Sequence, residues 1–253
     1  MNASKQHDSF KCPTIAEALC EIHFSVKPET ANSNWADTLK KHLGDAYPHL
    51  ENKEHRQFKA EISPQGVSVN PIGTSIAYHV FKHAKRNHLI QAFPNLLTIN
   101  EIEKYPGWNV VIKDLETAWT SLQRTISVEK ISRIGLRYIN KIPRMNPDES
   151  VSEWLKPSEF YPSRILIAKA QFASRFETFI DDEHRAIVVL AEGLSQTGEK
   201  PIIFDIDVVS EANIEPNWDL VEKTVGFLHD QIWQVFKPAL SPKLEKYLNG
   251  GGI

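Results

Sequence analysis

The alternation of apolar and polar residues is clearest where the chain first becomes hydrophobic. From Cys20 onward, Cys20, Ile22, Phe24 and Val26 fall on one side and Glu21, His23 and Ser25 on the other. A period of two marks a strand with one buried face, so residues 16–26 are predicted to be a strand. A loop over residues 28–34 follows, and Ser33 or Asn34 is placed to cap a short helix over 35–43, ended near Gly44. Short strands are predicted over 58–63, 67–69, 74–81 and 88–93, with turns at Pro64-Gln65-Gly66 and across 82–87. Residues 96–105 read as a further strand with some helical character at 101–104. After the break at Pro106-Gly107, Val111, Leu115, Trp119 and Leu122 recur at helical spacing, predicting a helix over 108–125.

The second half offers the same kinds of segment. Strands are predicted over 130–142, 164–180 (long and bent), 186–191 and 202–209, with a short helix over 151–155 and a hairpin turn at 181–184. Val221, Thr224, Val225, Leu228, Ile232 and Phe236 mark a helix over 218–236, ended by Pro238, and a final helical turn runs from Pro242 to Leu248. The two long helices begin alike: Trp108-Asn-Val-Val111-Ile-Lys113 can be laid on Trp218-Asp-Leu-Val221-Glu-Lys223. The expectation is therefore an internal duplication with a period of about 110 residues. The predicted fold is α+β, a doubled β-α-β(3-4)-α unit whose antiparallel sheets curl on their own long helices. That is the TATA-binding-protein-like or helix-grip-like pattern. The expected organisation is a disordered tail at 1–11, repeats at 12–127 and 128–248, and a flexible end at 249–253.

Composition narrows the function classes. The chain has 253 residues, 29 basic and 32 acidic, for a net charge of −3. That balance argues against bulk nucleic-acid binding but leaves room for a local basic patch. No apolar run reaches the roughly 18 residues of a membrane span, and the polar start has no signal-peptide core. Cys12 and Cys20 stand eight apart with no CxxC pattern, which reads as a reduced, cytoplasmic protein with no disulfide. P-loop, GxGxxG, GxSxG and HExxH motifs do not occur, so no catalytic residue, metal or cofactor is assigned.

Candidate chemistry comes from shared strand faces. Arg133, Gly135, Arg137 and Ile139 share one face, and Tyr138 and Asn140 lie on the other. The two arginines would bind a phosphate or a partner's carboxylate, or form a structural salt bridge to Asp205 or Asp207, which also share a face. Tyr138 and Asn140 would form a buried hydrogen-bond network. Glu17, Glu21 and His23 form either an acid/base cluster or a solvated strand face. His79, Lys82, His83, Lys85, Arg86 and His88 crowd one hairpin. If nucleic acid is bound, Lys82, Lys85 and Arg86 are the contacts; as a zinc site the histidine spacing is poor. His229, in the last long helix, is either a ligand contact or a partly buried residue satisfied by a hydrogen bond.

The segments 16–24, Ile134-Gly135-Leu136-Arg137-Tyr138-Ile139-Asn140, Phe204-Asp205-Ile206-Asp207 and Leu228-His229 with Phe236 together resemble a sporadically distributed family of bacterial proteins. Its members are of about this length and have no established function. The resemblance spans Thr14 to Tyr247 and implies a mobile, accessory role, with no catalytic residues to carry over. The expected function is non-enzymatic binding of another protein, as in a toxin–antitoxin or phage-defence pair. The alternatives are a small-ligand or nucleotide sensor, its cleft between the halves lined by Arg133 and Arg137, and a phosphoester-acting enzyme built around Glu21, His23, Asp205 and Asp207.

Overall fold

Each alternating segment becomes a strand, and all of them join one sheet. The computed structural model describes residues 10–27, 34–63, 66–144, 146, 148–168, 171–193 and 199–251, with the backbone alone over 55–63 and 66–76. Residues 1–9 of the expected N-terminal tail, most of the loop after the first strand and the Pro64-Gln65 turn lie outside the described residues, while Phe10, at the end of that tail, stacks on Trp233 with ring centroids 5.6 Å apart. In chain order the elements are β1 (Ile15–Val26), α1 (Trp35–Leu43), β2 (His49–Ser63), β3 (Gly66–Lys82), β4 (His88–Phe93), β5 (Leu96–Ile102), α2 (Trp108–Gln123) and β6 (Val128–Ile142). Then come β7 (Ala173–Phe179), β8 (His184–Glu192), β9 (Ile202–Ser210), α3 (Trp218–Ala239) and α4 (Pro242–Leu248). The nine strands form a single sheet in the order β2-β3-β4-β5-β1-β6-β9-β8-β7, with antiparallel neighbours throughout.

This overturns the expected doubled fold. β1 is hydrogen-bonded along its length to β6, from Ile15 opposite Asn140 to Val26 opposite Val128. The two halves therefore share one continuous sheet instead of curling separate sheets on separate helices. Among the described residues no duplicated unit is shown. Where the first half inserts α1 between its first strand and its hairpins, the second half makes only short 3-10 turns at Val151–Glu153 and Ser163–Ile167. The long strand expected over 164–180 is accordingly cut to β7. The apolar Ile165 and Leu166 are consecutive and both buried, an arrangement a strand cannot give to one face but a tight turn can.

The helices cover one face, and a single apolar cluster runs beneath them from Ala18 to Leu248. β1 turns Ala18, Cys20, Ile22 and Phe24 toward that core; β6 turns Ile134, Leu136 and Tyr138. Gly107, at φ 96°, holds a left-handed conformation at the start of α2 that a side chain would resist. From there α2 brings Trp119 edge-on to Phe24, ring centroids 5.9 Å apart. α3 is capped by the Asn217 side chain, which accepts from the Leu220 N–H, and packs Phe236 on Phe204 of β9. α3 passes through Pro238 and stops one residue later, at Ala239.

Trp119 is fully buried. Trp119→Ala is expected to cost about 3–5 kcal/mol of stability in urea unfolding. Trp119→Phe is expected to cost far less, because the indole N–H has no hydrogen-bond partner among the described residues.

Candidate functional site

The strand faces turned away from the helices carry most of the charge that the sequence singled out. On this outer face Arg137 stands opposite Leu19 of β1 and Asp207 of β9, Glu21 opposite Gly135, and His23 opposite Arg133. Arg137 reaches two positions along β9 to Asp205. Its Nε donates to Oδ1 at 2.8 Å and its Nη2 to Oδ2 at 2.6 Å, a bidentate fork on a carboxylate only 6% exposed. Arg133 lies four positions along β6, about 13 Å of strand. It is ion-paired with Glu21, and its Nη1 is 2.9 Å from His23 Nε2.

Gly135 makes room for that second pair. A Cβ on Gly135 would lie 3.1 Å from Glu21 Cγ and 3.2 Å from its Oε1, so the missing side chain lets Glu21 lie across β6. Asn100 of β5 donates to Glu17 at 2.5 Å and accepts from Gln91 at 3.1 Å, extending the polar chain toward β4. Burial pushes the Asp207 carboxyl above the ordinary aspartate range, against the opposing pull of Arg133, Arg137 and Arg185. Burial likewise holds His23 below the ordinary histidine range.

The other two candidates face the core. Tyr138 shares a 2.9 Å hydroxyl–hydroxyl hydrogen bond with Tyr105, whose phenol burial pushes up to about 12. Asn140 accepts from Thr14 Oγ1 at 2.9 Å and donates to the Phe204 carbonyl at 3.2 Å. These bonds tie the end of β6 to the segment before β1 and to β9. Tyr138 and Asn140 are thus brought together with the core and apart from Arg133, Arg137, Asp205 and Asp207. The arginines lie on a continuous sheet surface, since β6 is hydrogen-bonded to β1 on one side and β9 on the other; no cleft separates the halves there. His229 is buried and stacks face-on with Trp108 at 3.9 Å.

The basic hairpin between β3 and β4 is bound into the fold. Lys82 pairs with Glu51, and Lys85 is exposed. Arg86 bridges Glu101 at 3.2 Å and Asp114 of α2 at 2.6 Å. His83 Nδ1 accepts the N–H groups of Lys85 and Arg86, and His79 Nδ1 meets Asn52 Oδ1 at 2.8 Å. His88, 1% exposed, places Nδ1 2.9 Å from the same Glu101. His88, Glu101 and Asp114 offer ligand atoms within 4.8 Å of one another. The guanidinium of Arg86 already spans the two carboxylates, so this donor set is fitted to the chain's own cation. Sequence reasoning missed Glu101 and Asp114. The available signal was an acid, Glu101, in line with the core residues Leu97 and Ile99 of β5.

A cavity of about 240 Å³ opens beside Lys141, Arg144, Glu199 and Tyr247. The buried Arg144 guanidinium at its wall is held by Glu192 at 2.6 Å and by the Lys200 carbonyl at 2.5 Å.

No family model matches the chain, and none of the curated proteins does. Among solved structures, the S. pombe Pct1 RNA triphosphatase is similar at 9% identity, over 95% of this chain and 87% of that one. The TM-score is 0.14, a likeness that carries no argument about fold or chemistry. Among the described residues no helix is long and apolar enough to cross a membrane.

Two outcomes follow from the outer-face charges. Arg137→Ala strands the buried Asp205 carboxylate, with an expected loss of about 2 kcal/mol in chemical denaturation, reduced from the value for a fully buried pair because Arg137 is partly exposed. Arg137→Lys should recover part of it but lose the fork. Asp207 has the opposite sign. Its folded-state pKa is raised, so its ionised form opposes folding above the ordinary aspartate range. Asp207→Asn should therefore melt higher than wild type at pH 7, and the gap should close as pH falls below about 4, where both folded and unfolded Asp207 are protonated.

Proposed function

We propose that this chain is a binding protein whose outer sheet face docks another protein. The observation behind the reading is the pairing of Arg137 with Asp205. Together with Arg133 and Glu21, it holds charges of both signs at fixed positions on an uninterrupted strand surface. Preorganised mixed charge confers orientation and partner choice. A catalytic site, by contrast, needs groups free to gain and lose bonds to a substrate. The resemblance carried together by residues 16–24, 134–140, 204–207, 228–229 and Phe236 implies an accessory role, and the partner in this reading is a protein encoded beside this one, as in a toxin–antitoxin or phage-defence pair.

A second reading has one observation in its favour. The same face gathers Glu21, His23, Asp205 and Asp207, and Asp207 is biased toward its protonated form by burial. A carboxyl raised in this way beside arginines suits phosphoester hydrolysis, in which Asp207 would pass its proton to the leaving oxygen as the P–O bond breaks, a water molecule attacking phosphorus and losing its proton to solvent.

The deciding experiment is native mass spectrometry of the protein purified gently from its own host, as wild type and as the double variant Glu17→Lys, His23→Glu. A stoichiometric second polypeptide on the wild type, missing from the folded variant, is the expected result. A bare chain, or a partner retained by the variant, would sink the proposal. In either case, hydrolysis of phosphoesters by the bare chain, abolished by Asp207→Asn, would favour the second reading.

A further inference from the structure

The two edges of the sheet are built differently. β2, at one edge, carries Lys53 and Glu54, and its register with β3 slips between His55 and Gln57. Charge and a bulge are the usual protections of a strand edge against pairing with another chain. β7, at the other edge, carries one charge of each sign, Arg175 and Glu177, which pair with each other at 2.7 Å, Glu177 also meeting Arg185 at 2.7 Å; it has neither proline nor a bulge and pairs with β8 in unbroken register from Ala173 opposite Ala191 to Phe179 opposite Arg185. Its surroundings are apolar for an edge: Phe179 is 73% exposed, Phe176 39% and Ile180 36%.

The hydrogen-bond phase of β7 shows which backbone groups face outward. Glu192 N–H donates to the Phe172 carbonyl at 2.9 Å, and Ile180 N–H to the His184 carbonyl at 2.8 Å. Even-numbered residues from Phe172 to Ile180 therefore bond toward β8. Ala173, Arg175, Glu177 and Phe179 turn their N–H and C=O groups to the open edge. Among the described residues no hydrogen bond from another element meets them there.

The sequence of β7, Ala-Ser-Arg-Phe-Glu-Thr-Phe, is complementary to its own reverse. An antiparallel copy centred on Phe176 sets Arg175 against Glu177 of the second copy, Glu177 against its Arg175, Ser174 against Thr178, and Ala173 against Phe179. Every outward-bonding residue then meets an outward-bonding residue, so register, charge and hydrogen-bond phase agree on one alignment. Phe176 meets its counterpart at the closer, non-hydrogen-bonded position, on the helix side where Phe160 already packs against it at 6.2 Å. We infer that β7 is a homodimer edge: a second copy of this chain adds β7 to β7 about a two-fold axis, continuing the sheet through both molecules.

The charges make the test self-checking. Sedimentation velocity of the full chain should show a particle of twice the 28.8 kDa chain mass that dissociates on dilution. Arg175→Glu places two acids against two acids across the axis, and Glu177→Arg places two bases against two bases, so each should sediment as a monomer. An equimolar mixture of the two variants restores both opposite-charge pairs and should sediment as a heterodimer, which also shows that both are folded. Independently of any variant, hydrogen exchange at the Arg175 and Glu177 amides should slow as wild-type concentration rises. A wild type that stays monomeric up to millimolar concentration would overturn the inference. So would single variants that remain dimeric, a mixture that stays monomeric, or exchange at these amides that ignores concentration.

Discussion

The hydrogen bonding of β1 to β6 is the constraint on which the rest of the molecule depends. Each of these strands is paired on both sides, β1 with β5 and β6, and β6 with β1 and β9. A strand paired on both sides has no backbone groups left to give, so its only freedom is which side chains go to which face. Cys20, Ile22 and Phe24 of β1 and Ile134, Leu136 and Tyr138 of β6 go to the core because α2 and α3 lie there. The same parity sends Glu21, His23, Arg133, Arg137 and, through β9, Asp205 and Asp207 to the outer face. The charged surface is thus a consequence of the pairing that closes the core. A one-residue slip between β1 and β6 would bury the arginines and expose the core in one step.

Elements with strong local patterns were legible. β1, β4, β6, β8, β9, α2 and α3 were all readable from period two or period 3.6, within a few residues at their ends. β2 has no readable strand signal before Phe58, because an edge strand that reads His-Leu-Glu-Asn-Lys-Glu-His has little alternation to show. The stretch over 164–167 reads as strand in the sequence and folds as a 3-10 turn, because β-branched and apolar residues are common to strands and to buried turns. The architecture failed for a different reason. Local pattern gives the order of elements but not their partners. The pairing of β1 with β6 joins residues more than a hundred positions apart, and nothing in either segment names the other.

The site divides in the same way. That Arg133 and Arg137 share a face, that Tyr138 and Asn140 take the opposite one, and that Asp205 and Asp207 stand together all follow from counting by twos. Partner choice does not. Arg137 faces Asp207 across the ladder yet takes Asp205, one diagonal away, where both of its donor nitrogens meet both carboxylate oxygens. Asp207 is left among three guanidinium groups, and desolvation outweighs their pull. Gly135 is silent as a sequence signal, because a glycine in a strand announces only a missing side chain. Its use, letting Glu21 fold across to Arg133, appears only once β1 lies beside β6. Arg86 tells the same story. Read alone it is one charge in a basic turn, but Glu101 and Asp114 arrive from β5 and α2 to neutralise it.

Surface and edge are related by symmetry. A two-fold axis that continues a sheet through an edge strand stands perpendicular to the sheet, so the outer faces of the two copies point the same way and neither is covered. Joining at β7 therefore presents the array of Arg133, Arg137, Glu21 and Asp205 twice, on one side of one continuous sheet. Exposed charge pairs are individually weak and are screened by salt. Displayed twice at a fixed spacing, such a face gains strength through effective concentration, without any new contact in either copy. The opposite edge has to stay closed for this to work, since a second open edge would let the sheet grow without limit. The register slip of β2 meets that need. The asymmetry between the edges limits self-pairing to β7, so the assembly closes at two copies.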